Sequence, residues 1–242
     1  MEIFLEDGIL KIEANCNYLR FKADKNLVES IVYLPDKRFE YIFPKGEQLV
    51  VFPEGAFVGS DYSFSCTEAT TQDITAYRNL ALNPADRRGE TNYFPHSDAN
   101  AVSKDWFCFE SRNAIDGFIN TGGHGNYPYN SWSGGIRDDL EYFLDFGRHV
   151  FIDKLKLHLR SDTRINDEGL RWDTYWKNIT VEFSDGTNTR IAPIMTAEAQ
   201  EFKFEPRTVT WIRLSNLIRD LSFPTRGFAA LSQIEVWGND II

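Results

Sequence analysis

Cysteine and histidine are both scarce, and no long apolar run occurs. The three cysteines, Cys16, Cys66 and Cys108, are widely spaced and form no CxxC pair, which excludes a disulfide framework and a zinc knuckle. They read as small buried or half-buried thiols. The four histidines include no HxH, HExxH or HxxxH spacing. No segment approaches the ~20 apolar residues that span a bilayer. The N-terminal stretch MEIFLEDGILKIEA mixes acids among its apolar residues, so no signal peptide is visible and a cytoplasmic location is expected. GxSxG, GxxxxGK[ST] and GxGxxG are also missing. Gly122-Gly123-His124-Gly125 is glycine-rich, but no phosphate-holding helix follows it. A carboxylate pair such as Asp162 and Glu168 could be proposed for glycoside hydrolysis, yet nothing sets it apart from its acidic neighbours.

What is present is aromatic and acidic. Phe (19), Tyr (10) and Trp (6) suit half-buried pleated surfaces more than a helical bundle. The net charge of −10, without runs of like charge, makes nucleic acid and anionic membranes poor partners. The 242 residues hold one large domain, or a small one plus a medium one.

Residues 9–66 alternate with period two in ILKIEA, YLRFKA, SIVYL, FEYIF, QLVVF and DYSFSCTEA, separated by Pro, Gly and Asn turns. The pattern predicts a small antiparallel β domain over residues 1–75, of unknown role. EATTQDITAYRNLAL at 68–82 loses that period and predicts a short connecting helix with Thr71 as cap. A polar loop follows from Asn83 to Lys104, long enough to be functional. Strands resume with DWFCFE, EYFLDF, FIDKLKLHLR, NITVEFS, TRIAPI, EFKFE, TVTWIRLSNL and LSQIEVWG, and Ser184-Asp185-Gly186-Thr187 predicts a hairpin turn. Strands without intervening amphipathic helices predict a β-sandwich over residues 76–242.

Nine segments then carry a resemblance. NLALN (79–83), NAIDG (113–117), SW (131–132), LDFGR (144–148), IDKLKLHLRSD (152–162), ITVEFSDG (179–186), QEFKFEP (200–206), WIRLSNL (211–217) and FAALSQIEVWG (228–238) occur in that order. Together they resemble the discoidin, coagulation-factor type C and galactose-binding-like family, which includes bacterial carbohydrate-binding modules. The resemblance implies an all-β chain whose C-terminal part is an eight-stranded jelly-roll sandwich, with ligand-binding loops at one end. It implies a structural Ca²⁺ held by Asp116 and Glu235, with Asn120 and Thr121 as further oxygens, a hard cation wanting six to eight of them. The chain departs from the family between Asp116 and Trp132, where FINTGGHGNYPYNS lengthens the metal loop. The alternative is that Asp116 caps its Asp-Gly turn and Glu235 pairs with an arginine.

The resemblance also makes Arg160 a sugar-binding arginine. Asp162, Trp172, Tyr175 and Trp176 lie near it in sequence, as does Asp173, and His96, His124 and Trp132 complete a candidate rim. The chemistry fits, because a guanidinium donates to adjacent hydroxyls, a carboxylate accepts from them, and an indole covers the apolar face of a pyranose. Against this, Trp172 and Trp176 could plug the sandwich end while Arg160 pairs with Asp162. The resulting expectation is a non-catalytic carbohydrate-binding protein, with a protein-interaction module or a sugar-active enzyme as alternatives.

Overall fold

A computed structural model describes residues 1–59, 62–160 and 168–241. The chain is all-β. Its first part contains β1 (Glu2–Glu6), β2 (Ile9–Glu13), β3 (Tyr18–Lys22), β4 (Ser30–Tyr33), β5 (Arg38–Ile42) and β6 (Ser65–Glu68). These form two antiparallel three-stranded sheets, β1-β2-β5 and β4-β3-β6. Alternation decides which faces are buried: Leu10 and Ile12 of β2, Leu19 and Phe21 of β3, and Phe39 and Tyr41 of β5 share one core. That core also takes Ala85, Tyr93, Cys108 and Phe109 from beyond residue 75.

Two expected strands are instead helical turns. QLVVF lies in a 3₁₀ helix, Gly46–Val51, where the Lys45 N–H donates to Gln48 Oε1 and the Gln48 N–H to Lys45 O. Its unbroken LVVF run carries no period, so pattern alone could not separate strand from turn. DWFCFE likewise falls in successive 3₁₀ turns, Ser103–Asp105 and Phe107–Phe109. β1, which no pattern singled out, is an exposed strand along its whole length. The connecting helix α1 is a single turn, Thr71–Thr75, and its cap is Thr70: Thr70 Oγ1 accepts from the Asp73 N–H while the Asp73 carboxylate accepts from the Thr70 N–H.

The second part contains β7 (Arg78–Asn79), β8 (His96–Ala99), β9 (Tyr142–Leu159), β10 (Arg171–Asp173), β11 (Trp176–Phe183), β12 (Asn188–Ile191), β13 (Gln200–Arg219), β14 (Thr225–Phe228) and β15 (Leu231–Asp240). The principal sheet runs β12-β11-β13-β9-β15-β7, and β8 also pairs with β9. EYFLDF and FIDKLKLHLR are one strand, β9, and EFKFE and TVTWIRLSNL are another, β13. Both long strands slip register along their length. In β9 the buried side chains are even-numbered up to Ile152 and, His158 apart, odd-numbered from Leu155, as a one-residue slip requires. The strands thereby bury both halves of their length in one core around Leu144, Ile152, Leu157, Val181, Ile212 and Ile234. The expected hairpin joins β11 to β12, with Gly186 at positive φ and the Gly186 N–H donating to Phe183 O. β10 and β14 form a short parallel pair at one end.

Candidate functional site

A cavity of about 320 Å³ opens beside the β10–β14 pair. Its aromatic lining is Trp106, Phe109, Trp172 and Phe228, and its polar lining includes Arg160, Asp173, Ser103, Ser133, Lys104 and His124.

Arg160 follows the last residue of β9, and its N–H donates to Ala230 O. The side chain is 4% exposed, and its Nε and Nη2 both donate to Asp173 Oδ1, at 2.9 and 2.5 Å. Asp173 sits at the end of β10, and its carbonyl accepts from Thr225 Oγ1 of β14. A buried carboxylate thus fixes the guanidinium, so its orientation is set before any ligand arrives.

Trp106 supplies the outer wall. The 3₁₀ turns that replace the expected strand put Lys104 and Asp105 in the left-handed region, at φ 54° and 53°, and turn the indole outward. It is 53% exposed, lies parallel to Phe109 with centroids 6.3 Å apart, and carries Lys104 Nζ 4.6 Å from its ring centre. Trp172, half-buried on β10, lies 6.0 Å from the exposed His124 ring, and Arg226 Cζ sits 4.5 Å from its centre. Ser133 Oγ donates to Ala229 O at 3.0 Å.

Of the residues singled out in the sequence, Arg160, His124 and Trp172 meet at this cavity. Asp162 lies outside the described residues, as do its neighbours Arg164 and Asp167. Trp132 and Trp176 are fully buried, with centroids 5.5 Å apart in the sandwich core. They are core residues and offer no surface to a ligand, because Trp132 is clamped to Leu231 through a pair of backbone hydrogen bonds and β11 carries Trp176 inward. Tyr175 packs against the same core and donates its hydroxyl to Asp220 Oδ2 at 3.1 Å. His96 on β8 is bonded to Asp86 at 2.7 Å, away from the cavity lining.

Asp116 and Glu235 have separate partners. Asp116 is buried and accepts from the Phe118 N–H at 2.8 Å and the Asn130 amide at 2.7 Å. Burial pushes its carboxyl up to about 7. Glu235 accepts from Trp237 Nε1 at 2.6 Å and is bonded to His158 at 2.8 Å; its partner is thus a histidine rather than an arginine. That His158 bond, ahead of the others, holds Glu235 below the usual carboxylate range. The Asn120 backbone is bonded to Ser232 Oγ, and Thr121 Oγ1 donates to Ala197 O. It is Gln233, two residues before Glu235, whose side chain meets the Asp116 loop through the Gly117 N–H. Among the described residues no three His, Cys, Asp or Glu side chains gather in a metal-holding group. Asp116 and Glu235 therefore each have protein partners of their own.

Trp106, Phe109 and Phe228 were not foreseen as site residues. The alternation of DWFCFE concealed Trp106 and Phe109. Phe228 lies in FAALSQIEVWG, where only the family landmark was legible.

No family model matches the chain, and no curated protein does. Among solved structures, the chain is similar to chitosan-binding module 1 of a Paenibacillus chitosanase/glucanase, at 20% identity over 67% of this chain and 100% of that one, with a TM-score of 0.43. It is similar to the lectin domain of lectinolysin complexed with Lewis B antigen, at 12% identity over 67% and 97% of the two chains, with a TM-score of 0.45. A fucose-binding module from Streptococcus pneumoniae shows 16% identity over 67% and 98%, with a TM-score of 0.44.

Proposed function

We propose that this chain is a non-catalytic carbohydrate-binding protein and that its sugar sits between Trp106 and Trp172. The carrying observation is the fixed Arg160–Asp173 pair at a cavity with aromatic walls. Pairing with Asp173 uses Nε and Nη2 of Arg160, and Nη1 is the nitrogen a sugar hydroxyl would meet. An indole covers the apolar face of a pyranose, while Ser103, Ser133 and His124 offer hydrogen bonds at the margin. The volume, about 320 Å³, suits one or two sugar rings. The sequence resemblance to galactose-binding-like modules agrees with this reading. Binding to a free monosaccharide is weak, because a shallow site orders side chains while burying little area.

The site is built to hold a ligand. Asp173 is engaged by Arg160, so it is not poised as a general acid. A protein-binding reading of this end loses one of its anchors, since Trp176 is entirely within the core.

Glycan-array screening followed by calorimetric titration tests the proposal. The expected result is saturable binding of a neutral sugar that Trp106→Ala and Trp172→Ala each weaken by about tenfold or more. Absence of carbohydrate binding by the folded protein, or binding indifferent to both substitutions, removes it.

A further inference from the structure

A second cavity, about 370 Å³, lies where the first part of the chain meets the segment that follows Asn83. Tyr41 and Ile42 of β5 and Val51 and Phe52 of the first 3₁₀ helix form one side. Residues 86–89, together with Phe107, Glu110 and Arg112, form the other.

Besides Asp86, three polar residues in its wall are buried. Tyr41 is 3% exposed, Glu110 5% and Arg112 7%. Arg112 Nε donates to Asp86 O at 2.7 Å, Nη1 makes a long contact of 3.4 Å with Asn113 Oδ1, and the guanidinium carbon stands 4.7 Å from the Phe52 ring centre. These contacts fix the guanidinium and leave Nη2 over. Among the described residues, neither the Glu110 carboxylate nor the Tyr41 hydroxyl makes a hydrogen bond or ion pair with the protein. Both residues are buried as a whole, yet neither polar tip is shut off from solvent, so each can exchange water for a ligand that enters the cavity. Two protein-unpartnered polar tips beside an oriented arginine converge on one cavity.

The charges at the mouth narrow the class of partner. Arg87 and Arg88 join Arg112 on the lining. Arg87 donates to the backbone carbonyl of Glu90 and has no carboxylate partner among the described residues, whereas Arg88 pairs with Asp105. The Asp86 carboxylate is taken up by His96 and Ser97. Cationic donors therefore outnumber the one acceptor carboxylate, Glu110.

We infer that this cavity is a second ligand site, independent of the Trp106–Trp172 pocket, for a hydroxylated organic anion of monosaccharide size. Its anionic group faces Arg112 and Arg87, and its hydroxyls donate to Glu110 and exchange hydrogen bonds with Tyr41. Phe52 and Phe107 pack on its carbon skeleton.

Calorimetric titration of the full chain with glucuronate, glucose 6-phosphate and glucose tests this, and the two anions separate a carboxylate from a phosphate as the group recognised. At least one anion is expected to bind about tenfold or more tightly than glucose. Tyr41→Phe and Glu110→Ala, confirmed as folded by circular dichroism, are each expected to weaken that binding by about tenfold. Trp106→Ala leaves it unchanged, which keeps this site distinct from the other pocket. Arg87→Gln, at a half-buried position, provides the same test should the buried variants fold poorly. Three results overturn the inference: anions that bind no better than glucose, binding indifferent to the cavity substitutions, or binding lost in Trp106→Ala.

Discussion

Arg160 and Asp173 meet through a single carboxylate oxygen, with Nε and Nη2 of the arginine both donating to Oδ1 of the aspartate. Arg160 directly follows β9, and Asp173 is the last residue of β10. The pair joins the end of the sandwich sheet to the short β10–β14 ribbon, and it also forms the floor of the proposed sugar pocket.

Removing one member leaves the other charge buried. Asp173→Ala is expected to lower stability by about 3–5 kcal/mol in urea unfolding. Replacing both, as Arg160→Met with Asp173→Leu, recovers much of that loss while abolishing sugar binding. A double variant as unstable as Asp173→Ala would show that the pair contributes more than compensated burial.

The two classes of tryptophan separate by measurement. Trp176→Ala opens a void in the sandwich core and is expected to cost about 3–5 kcal/mol. Trp106→Ala changes stability by less than about 1 kcal/mol, because more than half of that side chain is in solvent, yet it weakens ligand binding. Equal destabilisation by the two would contradict their placement.

Asp116 sets a pH dependence. Burial raises its carboxyl from 3.8 to about 7 in the folded chain, against the opposing hydrogen bond from the Phe118 N–H. Between those values the folded state holds a proton that the unfolded state has released. Stability from this group is therefore greatest at the acid end and declines as pH rises toward 7, by up to about 4 kcal/mol. In Asp116→Asn this contribution is absent, so the stability of the variant relative to wild type should increase from pH 4 to pH 7.5. A difference that stays level across that range would mean that Asp116 titrates normally.

Gly238 is a backbone contact. A Cβ built there would lie 2.0 Å from Phe151 O and 2.9 Å from Ile152 Cα, both on β9. Gly238→Ala must therefore push β15 away from its partner, and a loss of at least about 3 kcal/mol in denaturant unfolding is expected. A near-neutral result would place the two strands farther apart at this point.

Strand content was legible in β2, β3, β5 and β11, where side chains alternate against water. It failed at QLVVF, whose apolar run has no period. It failed again at DWFCFE, where alternation is real but tight turns take the chain round. At the candidate site, Arg160, His124 and Trp172 were found through residue chemistry and the family resemblance. Trp132 and Trp176 carry the same indole as Trp106, and no local signal distinguishes a buried indole from an exposed one. Phe228 is in the lining because β14 pairs with β10, a contact between residues more than fifty positions apart.

By itself, the sequence determined the all-β character, the hairpin at Ser184–Thr187 and an ordered set of segments that resemble galactose-binding-like modules, because period, turn residues and short motifs are local properties of a chain. Tertiary structure alone decided which tryptophans face solvent, that Arg160 is held by Asp173, and that Tyr41, Glu110 and Arg112 share a cavity. Those outcomes depend on which distant segments pack together, and burial and charge pairing arise only once they have done so.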